Sequence, residues 1–518
     1  MRAPAIVLLL LLVAAVAAVG YALGNDGADA PLPTQPPPVV VLVLDEFPAD
    51  TLLTPGAKID AERYPNFAAL ARTSTWFRDG STVYDSTFKA VPAILDARMP
   101  RPRTAPDVRS HQPSVFHLMD RHGYDVIKVE SASAVCPPRI CAGALTRRPG
   151  VLKRLAGGSR AARLHKWIGA IRERPRPTFY FHHVLLPHEP WIYLPSGHQS
   201  RPTGNDPIPG INKPPGFHDP NLTDENHLRH LLQVGFVDRE LGLLIRRMRR
   251  TELFDKALLV VVADHGYSFE LNVPGRRQVR ETNIDEIASV PFFVKAPGQT
   301  EGVVDDSLVR NIDVVPTIAD LLGFEVWWRT DGYSAFSETT RAREQVTMSR
   351  RDFSRVISID RDDLEALRER RRRWRAAKFS TGAKSLAEFG DPWAAAYRIG
   401  PHQELLGEPV EGKPVARPSS VRGVVANAAL LDDVDPAAQI LPTRVTGRLT
   451  GSPPEGLRDL AVAVNGRIRA VGRSFRLRGR PTEYFSMLVP ETSLRPGRNH
   501  VELFEVGSGG RLTELADV

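Results

Sequence analysis

The chain has 518 residues, 42% of them hydrophobic and 25% charged, a balance that excludes an intrinsically disordered protein and leaves length for two or three domains. Its net charge of +8 comes from 68 Lys and Arg dispersed among 60 Asp and Glu, and that dispersal argues against a nucleic-acid partner. The excess suits an anionic membrane surface or an anionic substrate.

Residues 1–23 open with one Arg and continue as an apolar run, Pro4 to Leu23, long enough to cross a bilayer as a helix. The run exceeds the ~7 to 15 apolar residues of a signal-peptide core and ends in no clean Ala-x-Ala site, so an uncleaved membrane anchor is expected. A cleaved segment and a secreted protein are the alternative. Residues 24–38 turn acidic and then Pro-rich, the composition of a tether, and the domain beyond is expected to lie outside the cytoplasm.

From Val39 the chain alternates apolar β-branched runs with longer amphipathic stretches, the pattern of a mostly parallel, doubly wound sheet flanked by helices, over 39–400. Strands are expected at Val39 to Leu44, Thr178 to Val184, Ala257 to Ala263 and Val290 to Lys295. Cys136 and Cys141, five apart in a small loop, are expected to form a local disulfide in an oxidising compartment. Apolar residues at helical spacing predict a helix over His227 to Arg250. A second helix is predicted over Asp360 to Lys378; its run Arg368 to Arg375 reads as a solvated face or one lying over anionic lipid. Residues 420–518 carry short alternating runs with Asn465-Gly466 as a hairpin turn between two of them, and predict a separate all-β sandwich of about seven strands.

In doubly wound sheets the ligand site forms beyond the carboxyl ends of the strands. Two buried runs end there in polar residues, the first in Asp45-Glu46 and the later one in Asp264-His265-Gly266. Three carboxylates and an imidazole on one edge repel unless a cation sits among them, and hard oxygens plus one nitrogen suit a divalent ion such as Mn, Zn, Mg or Ca. Asp85-Ser-Thr-Phe-Lys89 leads into an apolar helical start and offers a hydroxyl nucleophile at a helix N-terminus, with Lys89 to hold an ester oxygen. On the residues alone Ser86 and Thr87 are equivalent, and either can instead cap the helix. A histidine on an apolar strand, such as His183, is more often a hydrogen-bonded core residue, so it is not counted among the ligands. His182, His218 and Lys295 are held in reserve. Asp238 and Asp313 are read as structural, Asp238 from a polar helix face and Asp313 at a helix start.

The order Leu44-Asp45-Glu46, Thr87 to Leu95, Leu186-Pro-His188-Glu-Pro-Trp191, Asp264-His-Gly266, Val290-Pro-Phe-Phe-Val-Lys-Ala-Pro-Gly298 and Ile312 to Gly323 resembles the sulfatase branch of the alkaline phosphatase superfamily, over roughly residues 38 to 345. The resemblance implies an alkaline phosphatase-like fold and a metal-dependent hydrolase or transferase. It places Thr87 at the nucleophile, nine residues before the Asp96 that stands at the Thr of the family's Ala-Leu-Leu-Thr-Gly turn. It makes Asp45, Glu46, Thr87, Asp264 and His265 the metal set, and His188 the histidine that contacts substrate or leaving group. The chain departs from the family at the Cys/Ser-x-Pro-x-Arg signature, since Phe88, Lys89, Ala90 and Val91 follow Thr87. Threonine cannot become formylglycine, whereas direct attack by threonine is the implied chemistry of the similar lipoteichoic acid synthases and phosphoethanolamine transferases. The expected substrate is therefore an anionic phosphate ester or, alternatively, a sulfate ester handled without formylglycine. A non-catalytic envelope protein that keeps the fold for binding is the third reading. Substrate choice rests on loops such as Gln199 to Thr223.

Overall fold

The run Val39-Val-Val-Leu-Val-Leu-Asp45 is apolar on both faces of an extended chain, and the fold answers by burying both. In the computed structural model it is the central strand of a seven-stranded sheet. The structure describes residues 35–515 apart from 131, 142–157, 203–217, 274–276, 417–419, 452–455 and 478–480. The expected membrane anchor lies outside the described residues, and among those described no helix is long and apolar enough to cross a membrane.

In chain order the first eight strands are β1 Val39–Asp45, β2 Thr75–Phe77, β3 Asp125–Val129, β4 Thr178–Pro187, β5 Gln199–Pro202, β6 Leu258–Ala263, β7 Phe292–Lys295 and β8 Val303–Asp305. All but β5 join one sheet in the order β3-β4-β1-β6-β7-β2-β8. The β3-β4-β1-β6 half is parallel, and β7 runs antiparallel to both neighbours. Val40, Leu42 and Leu44 pack on one face against the helices Gly158–Ala170 and α2 (Pro220–Arg250), while Val39, Val41 and Val43 pack on the other against α1 (Thr87–Asp96), Val115–Arg121 and Val314–Leu322. This is the expected α/β class, and every strand expected from the apolar runs is present.

Asp238, placed from spacing on a polar face of α2, is instead buried. Its carboxylate accepts the backbone N–H groups of Asn66 and Phe67 at 2.9 and 2.8 Å and so satisfies the open N-terminus of helix Pro65–Ala71, the structural role expected of it. Asp313 likewise pairs with Arg343 and accepts the backbone N–H of Tyr333. Cys136 and Cys141 form the local disulfide, with Cα atoms 6.3 Å apart.

The basic run departs from its expected solvated face. In α3 (Arg361–Phe379), Arg368, Arg372 and Arg375 recur at four and three residues, so they share one face, and that face is buried. Asp50 accepts from Arg368 Nε and Nη2 at 3.1 and 3.0 Å and from Arg372 at 3.4 Å, while Arg375 donates to the Asp50 carbonyl. The arginines thus fasten α3 to the turn that follows β1, because a buried guanidinium is tolerated only where carboxylates meet it. Charge counted along the sequence carries no sign of a partner 318 residues away.

The C-terminal part forms two five-stranded sheets that face each other, one including Val415–Ala416 and the other including β5. Val445 and Phe485 of one sheet pack with Leu460, Val462 and Leu503 of the other, the alternation expected of a β sandwich. The Asn465-Gly466 turn has positive φ at both residues, 53° and 77°, as a two-residue hairpin requires. Strand β5, from the segment that follows His188, pairs with Ile440–Thr450 of the sandwich, and Pro38–Val518 forms one compact unit.

Candidate active site

Strands β1 and β6 are neighbours in parallel register, with Leu44 opposite Ala263, so the residues that end them emerge side by side. Asp264 donates its backbone N–H to the Leu44 carbonyl at 2.9 Å. Its carboxylate Oδ1 accepts the backbone N–H groups of His265 at 2.6 Å and Glu46 at 3.2 Å, which fixes the ring of polar groups at the strand ends. Glu46 is held at φ 59°, a left-handed conformation rare for a side chain of its size and of the kind found where a fold over-determines a functional turn. Gly266 is required by close approach: a Cβ there would stand 1.9 Å from the Glu286 carbonyl oxygen.

Odd-numbered residues of β1 face α1, and Thr87 is the first residue of that helix. Its neighbour Ser86 is the N-cap residue but makes no side-chain capping bond. Thr87 Oγ1 lies 3.4 Å from Asp45 Oδ1 and 3.2 Å from His265 Nε2, and His265 Nε2 lies 3.5 Å from Asp264 Oδ2. Donor atoms sharing a divalent ion at about 2.1 Å stand roughly 3 to 3.5 Å apart, the spacing seen throughout this set. Asp45 Oδ2 and Asp264 Oδ2 are buried without a hydrogen-bond partner, the condition a cation relieves. The residues therefore fit a divalent ion.

The electrostatics carry the same mark. Burial and the negative charge of Asp45 hold Asp264 well above the ordinary carboxylate range. Burial would also raise Asp45, but the imidazoles of His188, His183 and His265 outweigh it and hold the group down at about 2. Burial, reinforced by Arg277, pushes His265 down to about 4, so its ring is neutral. With Nδ1–H directed to the Gly266 carbonyl at 2.9 Å, the Nε2 lone pair faces Thr87.

Of the other expected residues, His188 is at the site. Its Nε2 lies 3.6 Å from Glu46 Oε1, and its Nδ1 donates to the Glu189 carbonyl at 2.6 Å. Glu46 turns its carboxylate toward His188 and Arg277. Lys89 is not brought to the cluster: two residues along α1 from Thr87 it points elsewhere, and its ammonium donates to the carbonyls of Arg101, Pro102 and Thr104 at 2.6, 3.1 and 2.6 Å. His182 donates to the Val129 carbonyl on the opposite face, His218 meets Asn272, and Lys295 lies over the Phe254 ring.

Two residues that sequence reasoning passed over are present. Arg277 places Nε 3.2 Å from Glu46 Oε1, from a loop without motif or strand end to mark it. His183, set aside as a core histidine, stands with Asp45 and Asp264 as a group whose ligand atoms all lie within 4.8 Å of one another. Burial would lower its pKa, yet the carboxylates of Asp45 and Glu130 on either side push His183 up to about 10, so a proton and a cation compete for the same place. The sequence carries one sign of it, the pair His182-His183 within a single apolar run.

The family model for sulfatases matches residues 37–324. The chain belongs to the sulfatase family. The match agrees with the branch that the motif order resembles. Similar curated proteins include a choline-sulfatase of Rhizobium meliloti, 31% identical over 123 residues, covering 22% of this chain and 23% of that protein. A lipoteichoic acid synthase of Staphylococcus saprophyticus is 25% identical over 111 residues, covering 20% of this chain and 17% of that protein. The chain thus spans about a fifth of the length of these relatives. Among solved structures, a phosphonate monoester hydrolase of Agrobacterium radiobacter aligns with TM-score 0.44 and 15% identity over 64% of this chain and 82% of that one.

Proposed function

We propose that this sulfatase-family enzyme cleaves or transfers phosphate esters outside the cytoplasm, with Thr87 as nucleophile and a divalent ion held by Asp45, Thr87, Asp264 and His265. The observation that carries the reading is the threonine hydroxyl at the start of a helix, 3.4 and 3.2 Å from a carboxylate and a neutral imidazole drawn from two strand ends. An ion bound there supplies charge neutralisation for the ester and lowers the pKa of a hydroxyl in contact with it. The hydroxyl gives up its proton to water, because Asp45, held down at about 2, is too weak a base to keep it. Thr87 Oγ1 then bonds to phosphorus as the bond to the leaving oxygen breaks, and water or an acceptor hydroxyl releases the phosphoryl group in a second displacement. Glu46 orients His188 and Arg277, which offer donors to the leaving and non-bridging oxygens, a role worth a few kcal/mol per preorganised donor. The Cys136–Cys141 disulfide supports an oxidising compartment, and the apolar N-terminal run supports attachment to the membrane.

A panel of p-nitrophenyl phosphate, bis(p-nitrophenyl) phosphate and p-nitrophenyl sulfate, with elemental analysis of the same protein, tests the reading. Phosphate-ester turnover that falls at least about 1,000-fold in Thr87→Ala, with folding unchanged, is expected. Full activity of Thr87→Ala removes the nucleophile. The likeness to a choline-sulfatase favours the second reading, sulfate-ester hydrolysis without formylglycine, and turnover of the aryl sulfate alone would establish it.

A further inference from the structure

Strands β3, β4, β1 and β6 lie side by side and parallel, and on one face near their carboxyl ends stand Glu130, just past β3, His183, Asp45 and Asp264. Val129 pairs with His182 and Val43 with both His183 and Val262, so His183 is level with Val43, and Asp45 and Asp264 follow two residues further along the same face. His183 and the side chain of Glu130 are buried, and His183 Nδ1 donates to Glu130 Oε1 at 2.8 Å. Glu130 is itself fixed by three donors, the backbone N–H groups of Ala132 and Ser133 at 2.8 and 2.6 Å and the Ser133 hydroxyl at 2.6 Å. The ring can then turn in only one sense, with Nε2 aimed at the Asp45 carboxylate.

There it makes no hydrogen bond. Nε2 stands 3.5 Å from Asp45 Oδ2, and neither atom has a hydrogen-bond partner. A charge-assisted pair in a dry site would close to roughly 2.7–2.9 Å. Two donors bound to one ion at about 2.1 Å stand roughly 3 to 3.5 Å apart. Asp45 already turns Oδ1 toward Thr87, so its second oxygen is the one left for a partner on the β4 side.

We propose that His183 is a further ligand to the divalent ion held by Asp45 and Asp264, and that Glu130 is the positioning residue that sets its ring and tautomer. The arrangement of carboxylate, histidine and ion is one in which the carboxylate raises the basicity of the ligand nitrogen. The inference rests on the metal reading above and extends it to His183 of β4 and to Glu130, just past β3.

The test uses the full-length protein, freed of metal by chelation and titrated with Mn²⁺ alone. Affinity is followed by calorimetry, and coordinated imidazole nitrogens by pulsed electron paramagnetic resonance with ¹⁵N-histidine. His183→Ala is expected to weaken Mn²⁺ at least 100-fold and to remove one histidine nitrogen from the ion. Glu130→Gln, nearly isosteric, is expected to weaken it about 10- to 100-fold with the nitrogen count kept, which holds the proposal open to refutation even if His183→Ala fails to fold. Mn²⁺ bound by wild type and by both variants with equal affinity and an equal nitrogen count would overturn the proposal and leave His183 as a charged partner of Asp45 and Glu130. Wild type that binds no divalent ion would instead overturn the metal reading itself.

Discussion

Asp264→Asn separates what the fold gains from this residue from what the chemistry gains. The amide oxygen can take the place of Oδ1 and accept the backbone N–H groups of His265 and Glu46, now at 2.6 and 3.2 Å, while an NH₂ replaces the unpartnered Oδ2 and can donate toward Asp45. The substitution removes a buried negative charge whose pKa burial and Asp45 raise, so the metal-free variant should be more stable than wild type at neutral pH. The sign fixes the pH window: a carboxyl with a raised folded pKa contributes its stability below the unfolded value of about 3.8 and loses it as pH rises through the folded pKa. The variant's advantage should accordingly vanish in acid and grow toward neutrality. Metal reverses the order. At an ion concentration 100 times its Kd the wild type gains about 2.7 kcal/mol, whereas a variant bound 100-fold more weakly gains only about 0.4 kcal/mol. At about 2.1 cal/mol/K per residue a unit of roughly 480 residues has an unfolding entropy near 1 kcal/mol/K, so these gains appear as about 3 °C and under 1 °C in Tm. Thermal unfolding in chelator and in Mn²⁺ measures both. A metal-free variant less stable than wild type at neutral pH, or one that binds Mn²⁺ as tightly, would refute the argument.

Gly266→Ala should lower Mn²⁺ affinity and cost about 1–3 kcal/mol, read by titration and chemical denaturation, because the new methyl must displace the Glu286 backbone and with it His265. Asp50→Ala leaves the Arg368 and Arg372 guanidiniums short of a carboxylate and should cost about 3–5 kcal/mol in denaturant titrations. Burial alone would raise the Asp50 pKa, but Arg368, Arg372 and Arg375 outweigh it and lower the value, so the stability it contributes is present above about pH 3.8. The gap between wild type and Asp50→Ala should narrow as pH falls through the lowered pKa. Lys89→Met should leave kcat within a factor of a few while speeding proteolysis in the 101–104 loop, whose carbonyls Lys89 holds. A loss of 100-fold or more in kcat would return Lys89 to the chemistry.

Asp45, Asp264 and His265 were legible because each ends or follows a continuous apolar run, and a buried parallel strand delivers whatever follows it to the ligand edge. Thr87 was chosen over Ser86 by likeness to a family, and the structure adds the distances that residue type alone does not contain. Lys89 misled because proximity along a helix is not proximity in space: two residues on, the side chain leaves the face that Thr87 occupies. The Arg368 face reads as solvated in sequence because the carboxylate that buries it stands 318 residues earlier, in the turn after β1.

Local pattern, read by itself, determined the apolar strands, the hairpin turn, the α/β class followed by a β sandwich, and the polar residues waiting at two strand ends. These are consequences of periodicity and of backbone preference, which act over a few residues. Which strands became neighbours, and therefore that Glu130 and His183 come to the same face of the sheet as Asp45 and Asp264, was decided only in three dimensions. Strand order is settled by the packing of both sheet faces at once, and no short window of sequence contains that sum.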